Sequence, residues 1–310
     1  MTSDGCSDRR IPIVNEHVTD IHRSGTVAVI GRPSAGKSTL INRICGHNLS
    51  IVASSPQTTR SRIRGIATRK GGQLLLIDTP GFQDSLRPFD SRLQALTAGT
   101  LQEVDVVLIL IDPTRDGGAE ENAIIALARD FEGPVVVALS KADVPAMSGR
   151  NGIGAIPSDL AGDPVHRISA ATGTGIEDLV KRLIELSPTG PPMYPADRYT
   201  DQPQTLRVSE IIRGHAIHAT RQELPQAMYV EIADLETRED HIWVRAFLNV
   251  EHDSQKGILI GQRGHRIAAI RTRAQAELTT VLGLPARLDL RVKVQRNWRR
   301  DANLLQRLMR

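Results

Sequence analysis

At 310 residues the chain is long enough for about two domains. Hydrophobic residues make up 40% and charged residues 24%, as in a globular protein, and no apolar run approaches the roughly 20 residues that carry a helix across a bilayer. Two cysteines, Cys6 and Cys45, are too few for a disulfide framework and fit a reducing cytoplasm; the net charge of +4 excludes no partner by itself.

Residues 1–24 lack the apolar centre of a secretory signal and read as a tail. From 25 to 187, short apolar runs alternate with amphipathic stretches. "TVAVI" (26–30), "LLLID" (74–78), "VVLILID" (106–112) and "VVVALS" (135–140) have the continuous apolar character of strands buried on both faces of a parallel sheet. "LINRI" (40–44), "EENAIIALARDF" (120–131) and "GIEDLVKRLIEL" (175–186) supply helices between them. An α/β fold with a mainly parallel sheet follows. Residues 188–204 hold five prolines and read as a linker or wrapping loop rather than an element.

Beyond 205 the pattern changes. A helix (205–222), two strands (227–236 and 241–252), a helix–turn–helix stretch (255–283) and a strand (286–294) succeed one another. In the last strand Leu288, Leu290, Val292 and Val294 alternate with Arg287, Asp289, Arg291 and Lys293, giving one buried and one mostly basic face. This half, 205–310, reads as an α+β domain. Its last 20 residues carry seven Arg or Lys against one Asp, which suits a polyanion partner or a solvated helix face.

Five motifs carry chemistry. "GRPSAGKS" (31–38) matches a phosphate-binding loop in which backbone N–H groups of Gly31, Ser34, Ala35, Gly36 and Thr39 surround phosphate oxygens. Lys37 neutralises charge there, Ser38 can ligate Mg²⁺, and the following helix adds its positive end. "DTPG" (78–81) follows an apolar strand, where Asp78 can hold Mg²⁺ through water, Thr79 lines the turn and the Gly81 amide can meet a γ-phosphate. "SPQTTR" (55–60) offers a hydroxyl for the Mg²⁺ shell when a γ-phosphate is present, with Thr59 placed first and Thr58 second; such a loop is a switch. In "SKAD" (140–143), Asp143 can accept from N1–H and the 2-amino group of guanine, with Ser140 and Lys141 beside it. A site built around those donors rejects adenine by roughly 10⁴–10⁵. In "ISAATGTGI" (168–176), the Ala170 amide can meet guanine O6, and Ser169 beside it is a further nucleotide-binding candidate.

The five elements in this order resemble translation-factor-type GTPases. That resemblance assigns GTP or GDP as ligand, Mg²⁺ as cofactor at Ser38, Thr59 and Asp78, and catalysis to Lys37, Ser38, Thr59 and Gly81. Relatives usually carry Asn at the position of Ser140, where its amide ties the base to the phosphate loop; weaker nucleotide binding is expected here. Many carry Asn at the position of Ser34, where it helps hold potassium, so potassium stimulation is doubtful. Phe82 stands where Ras-like proteins have a water-orienting Gln, so slow intrinsic hydrolysis is expected.

"GQRG" (261–264) between two helices matches the turn of a KH module, which clamps a nucleic-acid backbone. The order helix, two strands, helix, G-x-x-G, helix, strand resembles the type II KH arrangement. Gly261, Gln262, Arg263 and Gly264, with Lys256, Arg266, Arg291 and Lys293, are the RNA-binding candidates. "SEIIR" (209–213), "ELPQAMYVEI" (223–232), "DSQKGILIGQRG" (253–264) and "LDLRVKVQRNWR" (288–299) resemble the second half of the Era family, bacterial GTPases with a G domain followed by a KH domain.

The resemblance implies assembly of the small (30S) ribosomal subunit, with the 3′ end of 16S rRNA as partner and a monomeric, cytoplasmic protein. The family is also reported to touch the inner membrane peripherally; the basic, amphipathic "WRRDANLLQRLMR" (298–310) would suit that, RNA or internal packing equally. Ser140 favours the rival reading, a non-enzymatic RNA-binding scaffold with weak or relaxed nucleotide binding. His215 and His218 lie three apart on a helix, but no metal is expected there. His241, His252 and His265 are expected on the surface. Trp298 is assigned to base stacking or to packing of the terminal helix, and nine aromatic residues in all argue against a broad stacking platform.

Overall fold

The computed structural model describes residues 22–52, 59, 62–81, 88–145, 164–220 and 224–308. Thr58, Phe82 and most of the 55–60 loop lie outside them.

Among the described residues the first half is built on a six-stranded sheet of β1 (Arg23–Ile30), β2 (Ile63–Arg69), β3 (Gly72–Asp78), β4 (Val106–Ile111), β5 (Val135–Leu139) and β6 (His166–Arg167), ordered β2-β3-β1-β4-β5-β6. Every pairing is parallel except β2 with β3. Alternate residues of one strand face opposite layers, and here both layers are apolar. Val27, Val29, Leu108 and Leu110 pack with α1 (Lys37–Cys45) and α4 (Ile176–Leu186) through Leu40, Ile41, Leu179 and Leu183. Ala28, Ile30, Val107 and Ile109 face the other way, onto Leu101 of α2 (Pro88–Leu101) and Ile124 of α3 (Ala119–Arg129). Burying each such side chain contributes about 1.5–3 kcal/mol, which is why these strands read as unbroken apolar runs. The loops that follow β1, β3, β4 and β5 emerge together at the carboxyl edge of the sheet, the usual ligand side of such folds.

Residues 188–201 form a strap along the sheet rather than a free tether. The Pro188 carbonyl accepts from Ser24 N–H at 3.0 Å, and the Gln73 amide bonds both backbone groups of Tyr194 at 2.9 Å. The strap then reaches the free edge of β2, where the Tyr199 carbonyl accepts from Ile66 N–H at 2.9 Å and the Thr200 hydroxyl donates to the Arg64 carbonyl at 2.6 Å.

The second half has α5 (Gln204–His218), the short α6 (Leu224–Ala227), then β7 (Met228–Thr237) and β8 (Ile242–Val250) as an antiparallel pair. α7 (Asp253–Ile260), a 3-10 turn at Gln262–Gly264 and α8 (His265–Leu282) lead to β9 (Ala286–Val294), parallel to β8. Val208 and Ile212 of α5 and Ile270, Ala274 and Leu278 of α8 cover one face of this sheet over Val230, Val244, Ala246, Leu248, Leu288 and Leu290. On the other face Tyr229 meets Trp298 at 4.9 Å between ring centroids, with Leu304 and Leu305 of α9 (Ala302–Leu308) beside them. Trp298 is buried and its indole N–H donates to the Ala227 carbonyl, so of its two assignments the structure selects packing. His252 and His265 are exposed, but His241 is buried at the start of β8, contrary to the surface position expected.

Candidate functional site

The phosphate loop turns between β1 and α1 with Ser34 at φ 62° and Gly36 at φ 100°, which points consecutive amides toward one concavity. Ala35 is fully buried and anchors the loop, while Ser34 is exposed and Thr39 half-buried at the helix start. The Lys37 ammonium is folded back into this cradle, donating to the carbonyls of Gly31 at 2.9 Å and Arg32 at 3.0 Å. Burial lowers its pKa to about 8, the negative charge of Asp78 opposing that shift only in part.

Asp78, Ser38 and Thr59 come from three separate stretches and converge. Asp78 Oδ2 accepts from the Ser38 hydroxyl at 2.8 Å and from the Thr59 hydroxyl at 3.0 Å, and the two hydroxyls are 3.2 Å apart. Burial pushes the Asp78 carboxyl up, while the Lys37 charge and the Ser38 and Thr59 hydroxyls pull it down. Its second oxygen, Oδ1, is buried with no hydrogen-bond partner among the described residues. A carboxyl oxygen left over beside two hydroxyls fits a hard, oxygen-seeking cation such as Mg²⁺. Next to it, the Thr79 hydroxyl donates to the Val29 carbonyl at 2.8 Å, fixing the turn over β1.

At the base end, Ser169 is buried and donates to Asp143 Oδ1 at 2.6 Å. That bond is the main reason the exposed Asp143 carboxyl sits below its ordinary range. One oxygen of this exposed carboxylate is thereby oriented. Ala170 follows at the turn. The Ser140 hydroxyl is committed elsewhere, to the Ile111 carbonyl at 3.1 Å. Lys141, at φ 55°, donates to Asp112 at 2.6 Å.

Asp112 is the residue that sequence reasoning missed. It ends the run "VVLILID" just as Asp78 ends "LLLID", and that shared signature could have marked it. Arg115 and the buried Arg32–Glu121 pair, 2.6 Å apart, were missed as well; they brace the phosphate loop from behind.

In the second half, the G-x-x-G turn stands out from the surface. Gly261 at φ 70° and Gly264 at φ 80° flank exposed Gln262 and Arg263, with Arg263 itself at φ 49°. A methyl on Gly261 would fall 2.7 Å from the Arg266 Cβ, so only glycine fits. Lys256 is half-buried on α7, and Arg266 is exposed but bonds the Ile258 carbonyl across the turn. On β9 the basic face is partly self-neutralised: Arg291 pairs with Asp289 at 3.0 Å, and Lys293 lies 3.1 Å from the Phe247 ring centroid. The two candidate clusters occupy different halves; of the nucleotide candidates, Ser38, Thr59 and Asp78 form one bonded group and Asp143 with Ser169 another. Among the described residues no cluster of three or more His, Cys, Asp or Glu is placed to hold a metal, and His215 pairs with Glu277 at 2.7 Å.

Residues 26–141 match the family model described as a 50S ribosome-binding GTPase, and residues 223–299 match the KH domain model. GTPase Era of Treponema denticola is 41% identical over 290 residues, covering 92% of this chain and 99% of the relative. GTPase Era of Treponema pallidum is 42% identical over 311 residues, covering 93% and 97%. Among solved structures, a tyrosine-to-alanine variant of Aquifex aeolicus Era bound to GDP·AlF4⁻ superposes with a TM-score of 0.83 at 31% identity, covering 93% of this chain and 98% of that one. Era in complex with MgGDPNP and nucleotides 1506–1542 of 16S ribosomal RNA gives the same TM-score at 30% identity and the same coverage. Its full-length match to these relatives, over both the phosphate-loop half and the KH half, makes this chain a member of the Era family of GTPases.

Proposed function

We propose that this chain hydrolyses GTP to GDP and phosphate and binds the 3′ end of 16S rRNA during assembly of the 30S subunit, with nucleotide state governing RNA binding. Family membership supports turnover over the scaffold reading, and an Era structure holding both MgGDPNP and 16S rRNA supports the RNA assignment. The observation that carries the mechanism is the meeting of Ser38, Thr59 and Asp78 at one carboxylate oxygen.

In this reading residues 25–187 hold the nucleotide and 205–310 the RNA. Gly31 to Thr39 cradle the phosphates, and Lys37 leaves its loop carbonyls to meet the β- and γ-oxygens. Ser38, Thr59 and Asp78 hold Mg²⁺, which when bound neutralises charge building between the phosphates. Thr59 belongs to the loop that responds to the γ-phosphate, and Gly81 to the turn that touches it. Asp143, oriented by Ser169, accepts from guanine. Arg263 and its neighbours at the G-x-x-G turn clamp the RNA backbone.

Described residues on both sides of Thr59 touch the RNA-binding half or the strap. The Val52 carbonyl, a few residues before it, contacts His218 of α5 at 2.8 Å, and β2 directly after it carries the strap. In this reading a change at Thr59 reaches α5 through the Val52 contact and 188–201 through β2. Because α9 buries Leu304 and Leu305, attachment to the cytoplasmic face of the membrane would use Arg307 rather than these leucines. No helix among the described residues is long and apolar enough to cross a membrane.

RNA affinity measured with GDP and with a non-hydrolysable GTP analogue tests the coupling. A difference is expected, the analogue giving the tighter complex; identical affinities overturn the coupling.

A further inference from the structure

A nucleotide spans two loops. The phosphate loop follows β1 and the base loop 140–143 follows β5, and β4 runs between these strands. Tight binding needs the loops held at a fixed separation, because every loosened degree of freedom is lost again on binding. Ser140 does not supply that tie, since its hydroxyl is bonded to the Ile111 carbonyl.

The tie lies one step over, at the end of β4. Asp112 is 1% exposed and accepts four hydrogen bonds. Oδ1 takes the Thr114 N–H at 3.0 Å and its hydroxyl at 2.6 Å. Oδ2 takes Lys141 Nζ at 2.6 Å and Arg115 Nε at 3.0 Å. Arg115 then donates through Nη2 to the Pro33 carbonyl of the phosphate loop at 2.9 Å. An unbroken path runs from the base loop through Lys141, Asp112 and Arg115 to the phosphate loop. It also holds the two non-glycine residues with left-handed backbone in these loops: Lys141 directly, and Ser34 through its neighbour Pro33. Such conformations are strained and persist where surrounding bonds enforce them.

We propose that Asp112 and Arg115 are positioning residues for guanine-nucleotide binding, clamping the base loop to the phosphate loop in place of a side-chain amide at position 140. The inference rests on the GTPase reading above. It separates the clamp from the chemistry, because none of its groups reaches the Ser38–Thr59–Asp78 constellation. The Arg115 side chain is 43% exposed, so its truncation leaves the core intact.

The test uses the full chain with Mg²⁺ and compares the parent, Arg115→Ala, Ser140→Asn and the double variant. Affinity for GDP and for a non-hydrolysable GTP analogue is titrated, and single-turnover hydrolysis of saturating GTP is timed. Arg115→Ala is expected to weaken both ligands by about tenfold, the loss of roughly one charge-assisted hydrogen bond. The rate from bound GTP should stay within about threefold, since a positioning loss appears in binding more than in turnover. Ser140→Asn should then recover most of the affinity in the Arg115→Ala background while improving the parent little, a non-additivity that a merely structural role for Arg115 would not produce. The proposal is overturned if Arg115→Ala binds both ligands as the parent does, or if Ser140→Asn gives the same gain in both backgrounds. A parent that binds neither ligand overturns the GTPase reading itself, and the clamp with it.

Discussion

The backbone of Gly81 lies against Pro33 so closely that a methyl on Gly81 would sit 2.8 Å from the Pro33 Cα and nitrogen. The turn after β3 and the phosphate loop thus touch main chain to main chain, and no side chain can yield to admit another atom. Gly81→Ala is expected to displace one loop or the other. A shift of that size near reacting atoms can cost about 10²-fold in rate. Single-turnover hydrolysis should fall by at least about tenfold while GDP affinity stays within about threefold; an unchanged rate would remove Gly81 from the mechanism.

Asp143 sets the base. With its carboxylate replaced by an amide, an acceptor becomes a donor, and the complement of the 2-amino group becomes an oxygen. Asp143→Asn should therefore lose guanine affinity by more than about tenfold and gain affinity for xanthine nucleotides, whose C2 carries a carbonyl. Competition titration of GDP against XDP reads this directly. An unchanged preference would return selectivity to another group.

Lys37 makes binding depend on pH. Burial sets its folded pKa at about 8, below its unfolded value of 10.5. Between these values the unfolded chain holds more protons than the folded one, so the contribution of Lys37 to stability rises from about pH 8 to 10.5. Phosphate oxygens beside Lys37 favour the ammonium, so binding takes up a proton above pH 8. Affinity for GDP is expected to fall as pH climbs past about 8, by at most about tenfold per unit, with proton uptake visible as a buffer-dependent heat in calorimetry. Lys37→Met should flatten the slope.

The G-x-x-G turn predicts a clean split of function. Gln262→Asp with Arg263→Asp places two carboxylates where the RNA backbone would approach. RNA affinity should fall by at least about tenfold, and the salt dependence should flatten by about 0.7 in log–log slope for the lost phosphate contact. GDP affinity should be unaltered, since these residues stand in the other half of the chain.

Much of the fold was legible because burial writes itself into sequence. β1, β3, β4 and β5 are buried on both faces and read as apolar runs, and the G-x-x-G turn needs glycine for its backbone angles. β2, "IRGIATR", was not read, because it is an edge strand with a mid-strand glycine and with Arg64, Thr68 and Arg69 breaking its apolar run. In the nucleotide site the motif residues were named from motif spacing and the family resemblance; the strand-ending signature could have marked Asp112, but its link through Arg115 to the phosphate loop became visible only when β4 was seen between β1 and β5. The mixed character of the β9 surface was hidden for a similar reason: Asp289 was on the page, but its pairing with Arg291 and Arg245 is a matter of side-chain reach.

The strap has a consequence for the chain as a whole. By bonding Ile66 and Arg64 on an otherwise open strand, residues 199 and 200 cap a sticky border that could recruit a foreign strand. Severing the protein before residue 188 to isolate its first half would strip that hem away, and the truncated piece should self-associate where the intact chain stays dispersed.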